Sequence, residues 1–257
     1  MYKLPIHKLG KPVKVALIGV GGTGSALAQE IIRLDTTLLA LDSQCGLDVH
    51  VYDGGTVTEA NITRQTFFPT QVGVNKAEAV VWTANNLHGK HWHSYPVHAN
   101  VEKLLGHQFD LIITALDRPS VRYQLSKLTP RGHTLWLDMG NNATQGQVLL
   151  GEMGSTKYLP NICDLYDYST LTDDDAEIKS CSAEQSINRQ ELGVNQFAAR
   201  IGAQILWNLY RHGKIQSHGA YFDAKTLHVD PIFVDESVWA MYGYTPRINN
   251  PSSSASK

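Results

Sequence analysis

The chain has 257 residues, of which 42% are hydrophobic and 18% charged, with a formal net charge of −2. That length can bury a large core, and the near-neutral charge balance excludes a basic surface of the kind that binds nucleic acid. The apolar runs are far shorter than the ~18 residues of a membrane-spanning helix. Because the start lacks the apolar core of a signal peptide and there are only three cysteines, we expect a cytoplasmic protein without a disulfide framework.

The first half of the chain alternates between strand and helix patterns. A buried strand over Val13–Ile18 leads through a glycine turn into an amphipathic helix, and LDVHVYD is a second strand. The elements predicted next are a helix in VGVNKAEAVVWTANNLHG that stops at Gly89, a short strand in HWHSYPVHAN, a short helix in VEKLLGH, a buried strand in FDLIITALD, a helix in RPSVRYQLSKLT, and strands in HTLWLDMG and GQVLLGEM. This alternation predicts an α/β fold with a Rossmann-like, doubly wound, mainly parallel sheet.

The second half has a different character. Residues 160–182 are polar and acidic without a clear period, which predicts a long loop. A helix is predicted from Glu184 to His212, with an apolar stripe at Leu192, Phe197, Ile201, Ile205 and Leu209. GAYFDAKTLHVDPIFVD predicts a hairpin that extends the sheet in antiparallel fashion, and residues 249–257 a disordered tail.

The glycine turn between the first strand and its helix has the pattern G-x-G-x-x-G. Its glycines are Gly19, Gly21, Gly22 and Gly24. Such a turn lets the backbone approach a phosphate, and the helix start supplies free N–H donors. A tight turn without a ligand is the alternative, and the motif leaves NAD, FAD and ATP open.

Asp53 ends the second strand, where a carboxylate can accept hydrogen bonds from ribose hydroxyls. An aspartate before two glycines is also a common turn former.

The residues after Asp53 indicate chemistry at phosphorus. They are Asn61, Arg64, Gln65 and Lys76, followed by Asp117 at the end of the third buried strand. Positive groups stabilise the charge that develops on a departing pyrophosphate, and a carboxylate can hold Mg²⁺. Individually these residues have simpler interpretations: Lys76 as a solvated helix residue, Arg64 as a surface ion-pair partner, and Asp117 as the cap of the helix that opens at Arg118-Pro119.

The order of these motifs resembles the ThiF/MoeB family, the adenylation domain shared with ubiquitin-activating enzymes. The matching pattern is Gly19-Val-Gly21-Gly22-Thr-Gly24, Asp53, Asn61-Ile-Thr-Arg64-Gln65, Gly73-Val-Asn-Lys76 and the apolar strand that ends in Asp117. Within the family the chain is most similar to the ThiF-type proteins of the PRTRC plasmid cassette, partly from Ser180-Cys181-Ser182 and the following RQELGVNQ.

The resemblance implies an enzyme that binds Mg-ATP and joins the C-terminal glycine carboxylate of a ubiquitin-like or sulfur-carrier protein to AMP. Asp53 would bind ribose, Asn61, Arg64, Gln65 and Lys76 the phosphates, and Asp117 magnesium. Cys181 falls near the reactive cysteine of relatives and would take the activated tail as a thioester or pass sulfur; a loop cysteine without chemistry is the alternative. Cys163 is a weaker candidate.

The resemblance also implies a homodimer and a domain plan. The expected regions are a single adenylation domain over 1–248, its nucleotide-binding half over 13–140, a crossover loop over 160–182, and the C-terminal helix and hairpin over 184–235. No zinc is expected, because the C-x-x-C pairs of relatives are absent.

Two other functions stay open. A non-catalytic nucleotide-binding scaffold is suggested by Gly55, where many relatives have an acidic residue, and by the lack of an N-terminal arginine. A nicotinamide-dependent oxidoreductase would also use the glycine turn. His88, His91, His93 and His98 could bind a metal, but strand alternation and a solvated loop explain them equally well, and we expect no ligand role.

Overall fold

The computed structural model describes residues 1–98, 107–154, 158–173 and 190–246. Its strands are β1 (Tyr2–Lys3), β2 (Val13–Ile18), β3 (Leu47–Tyr52), β4 (His93–Tyr95), β5 (Leu111–Thr114), β6 (Leu135–Asn141), β7 (Gln145–Glu152), β8 (Lys214–Ile215), β9 (Ser217–Asp223) and β10 (His228–Phe233). Its α-helices are α1 (Gly22–Leu41), α2 (Glu59–Ile62), α3 (Lys76–His88), α4 (Pro119–Ser126), α5 (Ile162–Leu165), α6 (Val194–His212) and α7 (Glu236–Ala240). Short 3₁₀ turns span Ile6–Lys8 and Pro69–Gln71.

An eight-stranded sheet forms the centre, in the order β10-β9-β7-β6-β5-β2-β3-β4. The five strands from β6 to β4 in that order run parallel. Their central members are buried on both faces, as the continuous apolar runs predict. The chain proceeds outward from β2 through β3 to β4 and then returns to β5 on the other side of β2. The predicted Rossmann-like doubly wound fold is therefore confirmed, and the carboxyl ends of β2 and β5 flank the crevice where ligands bind in such sheets.

The C-terminal part extends this sheet in antiparallel fashion, as predicted. Strand β7 pairs with β6 on one side and β9 on the other, and β9 with β10 forms the hairpin. Helix α6 packs on β6, β7 and β9 and against α1. Its contact with α1 brings the segment before α6 next to the glycine turn.

The observed start of α6 differs from the predicted one. The helix begins at Val194, directly after Gly193 with a φ of 93°, and residues 190–193 form a bend and a turn. The side chain of Leu192 is therefore outside the apolar stripe and 89% exposed. The left-handed backbone at Gly193 is the physical reason, because it interrupts the helical path. The predicted stop of α3 is confirmed, since Gly89 ends it with a φ of 61°.

Several predictions fall outside the described residues. They concern the short helix in VEKLLGH apart from its last residue, Cys181, the second part of the crossover loop, the start of the C-terminal helix before residue 190, and the tail over 249–257. In the parts of the chain that are described, no helix combines the length and apolarity needed to span a membrane.

Candidate active site

Asp53 joins the end of β3 to the glycine turn after β2. Its Oδ2 accepts a hydrogen bond from the backbone N–H of Val20 at 2.8 Å, and its Oδ1 accepts one from the N–H of Gly55 at 2.7 Å. Each carboxylate oxygen has a second lone pair, so this fixed carboxylate can still accept hydrogen bonds from a ligand. The structure thus places Asp53 where a ribose-binding carboxylate is expected.

The four glycines of the turn do not all serve the same purpose. Gly19 has a φ of 83°, and a Cβ there would lie 2.4 Å from Leu116 Cδ2. A Cβ on Gly24 would lie 1.9 Å from the carbonyl oxygen of Gly19, and one on Gly22 2.6 Å from Asn195 Nδ2. These three positions are closed by the protein's own packing. Gly21 is different, because a Cβ there would meet no atom of the described residues within 4 Å. Gly21 is therefore the point of the turn that lies open to a ligand.

Asn75, which the sequence analysis missed, holds the loop after Asp53 and starts helix α3. Its Nδ2 donates to the carbonyl oxygens of Asp53 and Gly55, both at 2.9 Å, and its Oδ1 accepts from the N–H of Ala77 at 2.8 Å. One side chain therefore sets the first residue of α3, Lys76, beside Asp53. An asparagine directly before a helical pattern is a strong N-cap signal and could have revealed this role.

Gly55 provides the space through which Lys76 passes. A Cβ at Gly55 would lie 3.0 Å from Asp53 Oδ1 and 3.6 Å from Lys76 Cδ. A larger residue, such as the acid found in many relatives, would displace one of these two side chains. The difference from relatives at this position therefore has a local steric cause.

Lys76 shares one electrostatic environment with three other predicted site residues. Burial lowers the pKa of the Lys76 ammonium, Asp53 and Asp117 oppose that change, and the positive charge of Arg64 adds to it. These interactions act only over short distances in a protein. Asp53, Arg64, Lys76 and Asp117, which are far apart in the sequence, are thus brought together at the carboxyl edge of the sheet.

Arg64 is held by a side chain from the segment before α6. Its Nη1 donates to Gln190 Oε1 at 2.9 Å, and that same oxygen lies 3.4 Å from Asn195 Nδ2. Asn195 Oδ1 is in turn 3.0 Å from the hydroxyl of Thr23 in the first turn of α1. Gln190 and Asn195 therefore connect the arginine to the glycine turn. Both were missed as site residues, although they lie in the segment RQELGVNQ that carries part of the family resemblance.

Asn61 and Gln65 have different local roles. Asn61 Oδ1 accepts from the backbone N–H of Thr58 at 3.0 Å and so caps the short helix α2. Its amide nitrogen is the part suited to a phosphate. Gln65 Oε1 is buried and has no hydrogen-bond partner among the residues that the structure describes. Rotation of that amide by 180° would present a buried N–H donor instead, which an anionic ligand oxygen could accept.

Asp117 does not cap helix α4. The cap position is Arg118, and the N–H of Ser120 donates to Asp173 Oδ1 at 3.0 Å while its hydroxyl donates to Asp173 Oδ2 at 2.7 Å. The simpler interpretation of Asp117 as the helix cap is therefore wrong. Its carboxylate is exposed beside Lys76. Asp173 belongs to the predicted crossover loop, which thus returns to the carboxyl edge of the sheet next to Asp117.

Cys163 is unsuited to nucleophilic chemistry. Burial, and secondarily the nearby Asp138, raise the pKa of its thiol to about 12. Its Sγ donates to the carbonyl oxygen of Arg122 at 3.4 Å. At neutral pH the thiol is protonated, and only the thiolate is a good nucleophile. The stronger candidate, Cys181, lies outside the described residues.

Together, the doubly wound sheet and the charged crevice at its switch point define an α/β nucleotide-binding protein whose polar groups extend beyond the ribose site. The family model of the ThiF family matches residues 6–236. The chain therefore belongs to the ThiF family, and the predicted family membership is confirmed.

Known proteins similar to this chain include ubiquitin-like modifier-activating enzyme 5 of Xenopus laevis. It is 26% identical over 160 residues, which cover 55% of this chain and 38% of that protein. The enzyme of the same name from Oryza sativa subsp. japonica is 35% identical over 74 residues, covering 28% of this chain and 15% of that protein. The chain thus spans well under half the length of these relatives.

Solved structures with the same fold include E. coli MccB with ATP and PaaA. The MccB structure is 16% identical with a TM-score of 0.62, covering 89% of this chain and 65% of that one. PaaA is 17% identical with a TM-score of 0.60, covering 88% of this chain and 65% of that one. At these identities the similarity shows the fold alone.

Proposed function

We propose that the protein uses ATP to adenylate the C-terminal glycine carboxylate of a ubiquitin-like or sulfur-carrier protein. The observation that carries the proposal is the position of Lys76, half-buried within electrostatic reach of Arg64, Asp53 and Asp117. A ribose site alone has no need of two cations and a second carboxylate, whereas chemistry at a triphosphate uses all of them. Relatives named as ubiquitin-like modifier-activating enzymes, and a neighbour solved with ATP, support this class of reaction.

In the proposed reaction an oxygen of the substrate carboxylate attacks the α-phosphorus of ATP. A carboxylate–phosphorus bond forms, the bond from the α-phosphorus to the bridging oxygen breaks, and pyrophosphate leaves with that electron pair. The acyl adenylate is the other product. Arg64 offers a planar fork of donors and Lys76 a point charge, so both stabilise the negative charge that moves onto the leaving group. Asp53 orients the ribose.

Asp117 is the residue that would hold Mg²⁺. Its carboxylate is exposed, is not used as a helix cap, and faces the site that contains Lys76. An exposed carboxylate together with phosphate oxygens is the usual ligand set of this ion, which would neutralise phosphate charge when bound. The structure supports this assignment through the freedom of the carboxylate.

The steps after adenylation are less directly supported. Transfer of the activated tail to Cys181 as a thioester, sulfur transfer, homodimer formation and membership in the PRTRC cassette stay predictions from the resemblance. Gln190 and Asp173 both reach the site from the chain segments that flank residues 174–189. That position is consistent with an arm that crosses a bound tail.

Exchange of labelled pyrophosphate into ATP tests the proposal, with candidate ubiquitin-fold proteins added one at a time. We expect exchange that requires the partner's terminal glycine and falls about a hundredfold or more in Asp117→Ala. Asp230→Ala, at an exposed carboxylate of the hairpin, is the matched control and should leave exchange unchanged. Exchange that survives Asp117→Ala would refute the assignment of the metal ligand.

The scaffold alternative gives a different result in the same assay. A non-catalytic nucleotide-binding protein would bind ATP and a partner, yet would release no pyrophosphate with any ubiquitin-fold protein. An oxidoreductase would shift NADH fluorescence on titration and would not respond to ATP.

A further inference from the structure

A second cluster of polar side chains lies at the other end of strands β3 and β4, away from the nucleotide crevice. In the parallel register of these strands His50 is the partner of His93. Asp48 precedes His50 by two residues, so both point to the same face of the sheet. Of the four histidines singled out in the sequence, His93 alone belongs to this cluster, whereas the ring of His98 packs against Gly54.

Two imidazole nitrogens converge on one carboxylate. Asp48 Oδ1 lies 3.2 Å from Nε2 of His50 and 3.5 Å from Nε2 of His93, and one ligand atom from each of the three residues lies within 4.8 Å of the others. Ligand atoms at about 2.0–2.2 Å from a tetrahedral Zn²⁺ are about 3.3–3.5 Å apart. The two distances to Asp48 already match that value, and a small rotation of His93, which is about half exposed, would close the third.

A neighbouring hydroxyl orients the buried ligand. The Nδ1 of His50 is 3.0 Å from the hydroxyl of Tyr95, two residues after His93 on β4. Metal-binding histidines commonly donate their other ring N–H to such a group, which fixes the ring and the tautomer. Aromatic rings also pack around His50, with Phe109 edge-on at 5.3 Å between centroids and His93 at 4.7 Å. His50 is therefore held in place without a metal.

We propose that Asp48, His50 and His93 form a binding site for a divalent transition-metal ion of the Zn²⁺ class, which fastens the edge strand β4 to β3. Two neutral imidazoles and one carboxylate are a ligand set that such ions prefer, and the exposed side of His93 leaves access for a water as the fourth ligand. The proposal corrects our expectation that the chain's histidines have no ligand role and that the protein uses no zinc. It is independent of the nucleotide site.

Titration of Co²⁺ and Zn²⁺ into untagged, chelator-treated protein without ATP or Mg²⁺ tests the site. We expect one equivalent of Co²⁺ to give the visible absorption of a tetrahedral ion, Zn²⁺ to displace it, and Zn²⁺ to raise the melting temperature. His93→Ala and Asp48→Asn should each weaken binding at least tenfold. Both side chains are largely exposed, so these variants are expected to fold.

Two further variants decide between a built site and adventitious binding. Tyr95→Phe removes the hydroxyl beside His50 and should weaken binding about tenfold, as loss of such a supporting contact does. His91→Ala, at an exposed histidine just outside β4, is the matched control and should bind like the wild type. The proposal is overturned if no saturable binding occurs in the micromolar range, or if His91→Ala weakens binding as much as His93→Ala does.

Discussion

Arg64 donates through Nη1 to Oε1 of Gln190 at 2.9 Å, across 126 positions of the chain. This bond joins the motif that follows the ribose carboxylate to the segment that leads into helix α6. It orients a guanidinium that would otherwise have many rotamers, and so prepares it for a phosphate before the nucleotide binds.

Replacing Gln190 should therefore weaken ATP binding. In Gln190→Ala the guanidinium of Arg64 loses a hydrogen bond to a charged group, typically about 1.5–3 kcal/mol, so we expect the dissociation constant for ATP to rise about tenfold to a hundredfold. Calorimetric titration with a non-hydrolysable ATP analogue measures it. Gln204→Ala, at an exposed glutamine of α6, should bind normally; equal affinities in the two variants would show that Gln190 does not orient Arg64 for ATP.

The charge of Lys76 should set the alkaline limit of exchange. Burial lowers the pKa of its ammonium, so the charge is lost at a lower pH than the ~10.4 of an ordinary lysine. Exchange should fall as the pH rises through that lowered pKa, and Lys76→Met should fall about a hundredfold at neutral pH. Lys76→Arg stays charged and should lack the alkaline limb, provided that it retains activity. Lys225→Met, in the exposed hairpin turn, is the control; a Lys76→Met variant that is as active as this control contradicts the assigned role.

The buried ion pair under the crossover loop should be important for stability. Arg122 Nε lies 2.8 Å from Asp138 Oδ1, and both side chains are nearly inaccessible to solvent. Arg122→Met leaves an uncompensated buried carboxylate and should lower the free energy of unfolding by about 3–5 kcal/mol. Denaturant unfolding measures this. The double variant Arg122→Met/Asp138→Leu should recover most of the loss, whereas the exposed control Arg200→Met should change little. A double variant no more stable than Arg122→Met would show that the loss has a cause other than the unpaired carboxylate.

Glu152 should make the fold sensitive to acid. Its Oε1 accepts from the hydroxyl of Tyr2 at 2.7 Å and lies 2.9 Å from His133 Nε2, while its Oε2 accepts from the N–H of Tyr158 at 2.6 Å. These hydrogen bonds outweigh the opposing effect of burial and lower the pKa of the carboxyl. Its stabilisation is therefore present above the unfolded glutamate pKa of ~4.3 and is lost as the pH falls through the lower folded pKa.

Glu152→Gln should accordingly be less stable at neutral pH by about 1–3 kcal/mol, with a smaller loss on acidification than the wild type shows. Melting temperatures from pH 7 down to pH 3 measure both effects. Glu236→Gln, at an exposed glutamate in the first turn of α7, is the control. Parallel pH profiles for the wild type and Glu152→Gln would contradict the prediction.

The sequence by itself determined the parallel half of the sheet, the glycine turn, the position of Asp53 and the family. These features have local signals: continuous apolar runs for strands buried on both faces, a glycine pattern between a strand and a helix, and an acidic residue at a strand end. Gly89 likewise ends α3 as its position in the pattern predicts. The start of α6 was predicted too early, because the apolar spacing continues through Leu192 while the backbone turns at Gly193.

Only the tertiary structure decided which distant residues share the site. Gln190 and Asn195 contact Arg64 and Thr23 because α6 packs against α1, and Asp173 caps α4 because the loop returns to the sheet edge. His50 and His93 become neighbours only through the register of β3 with β4. Such contacts depend on strand order and helix packing, which bring together residues that have no relation in spacing along the chain.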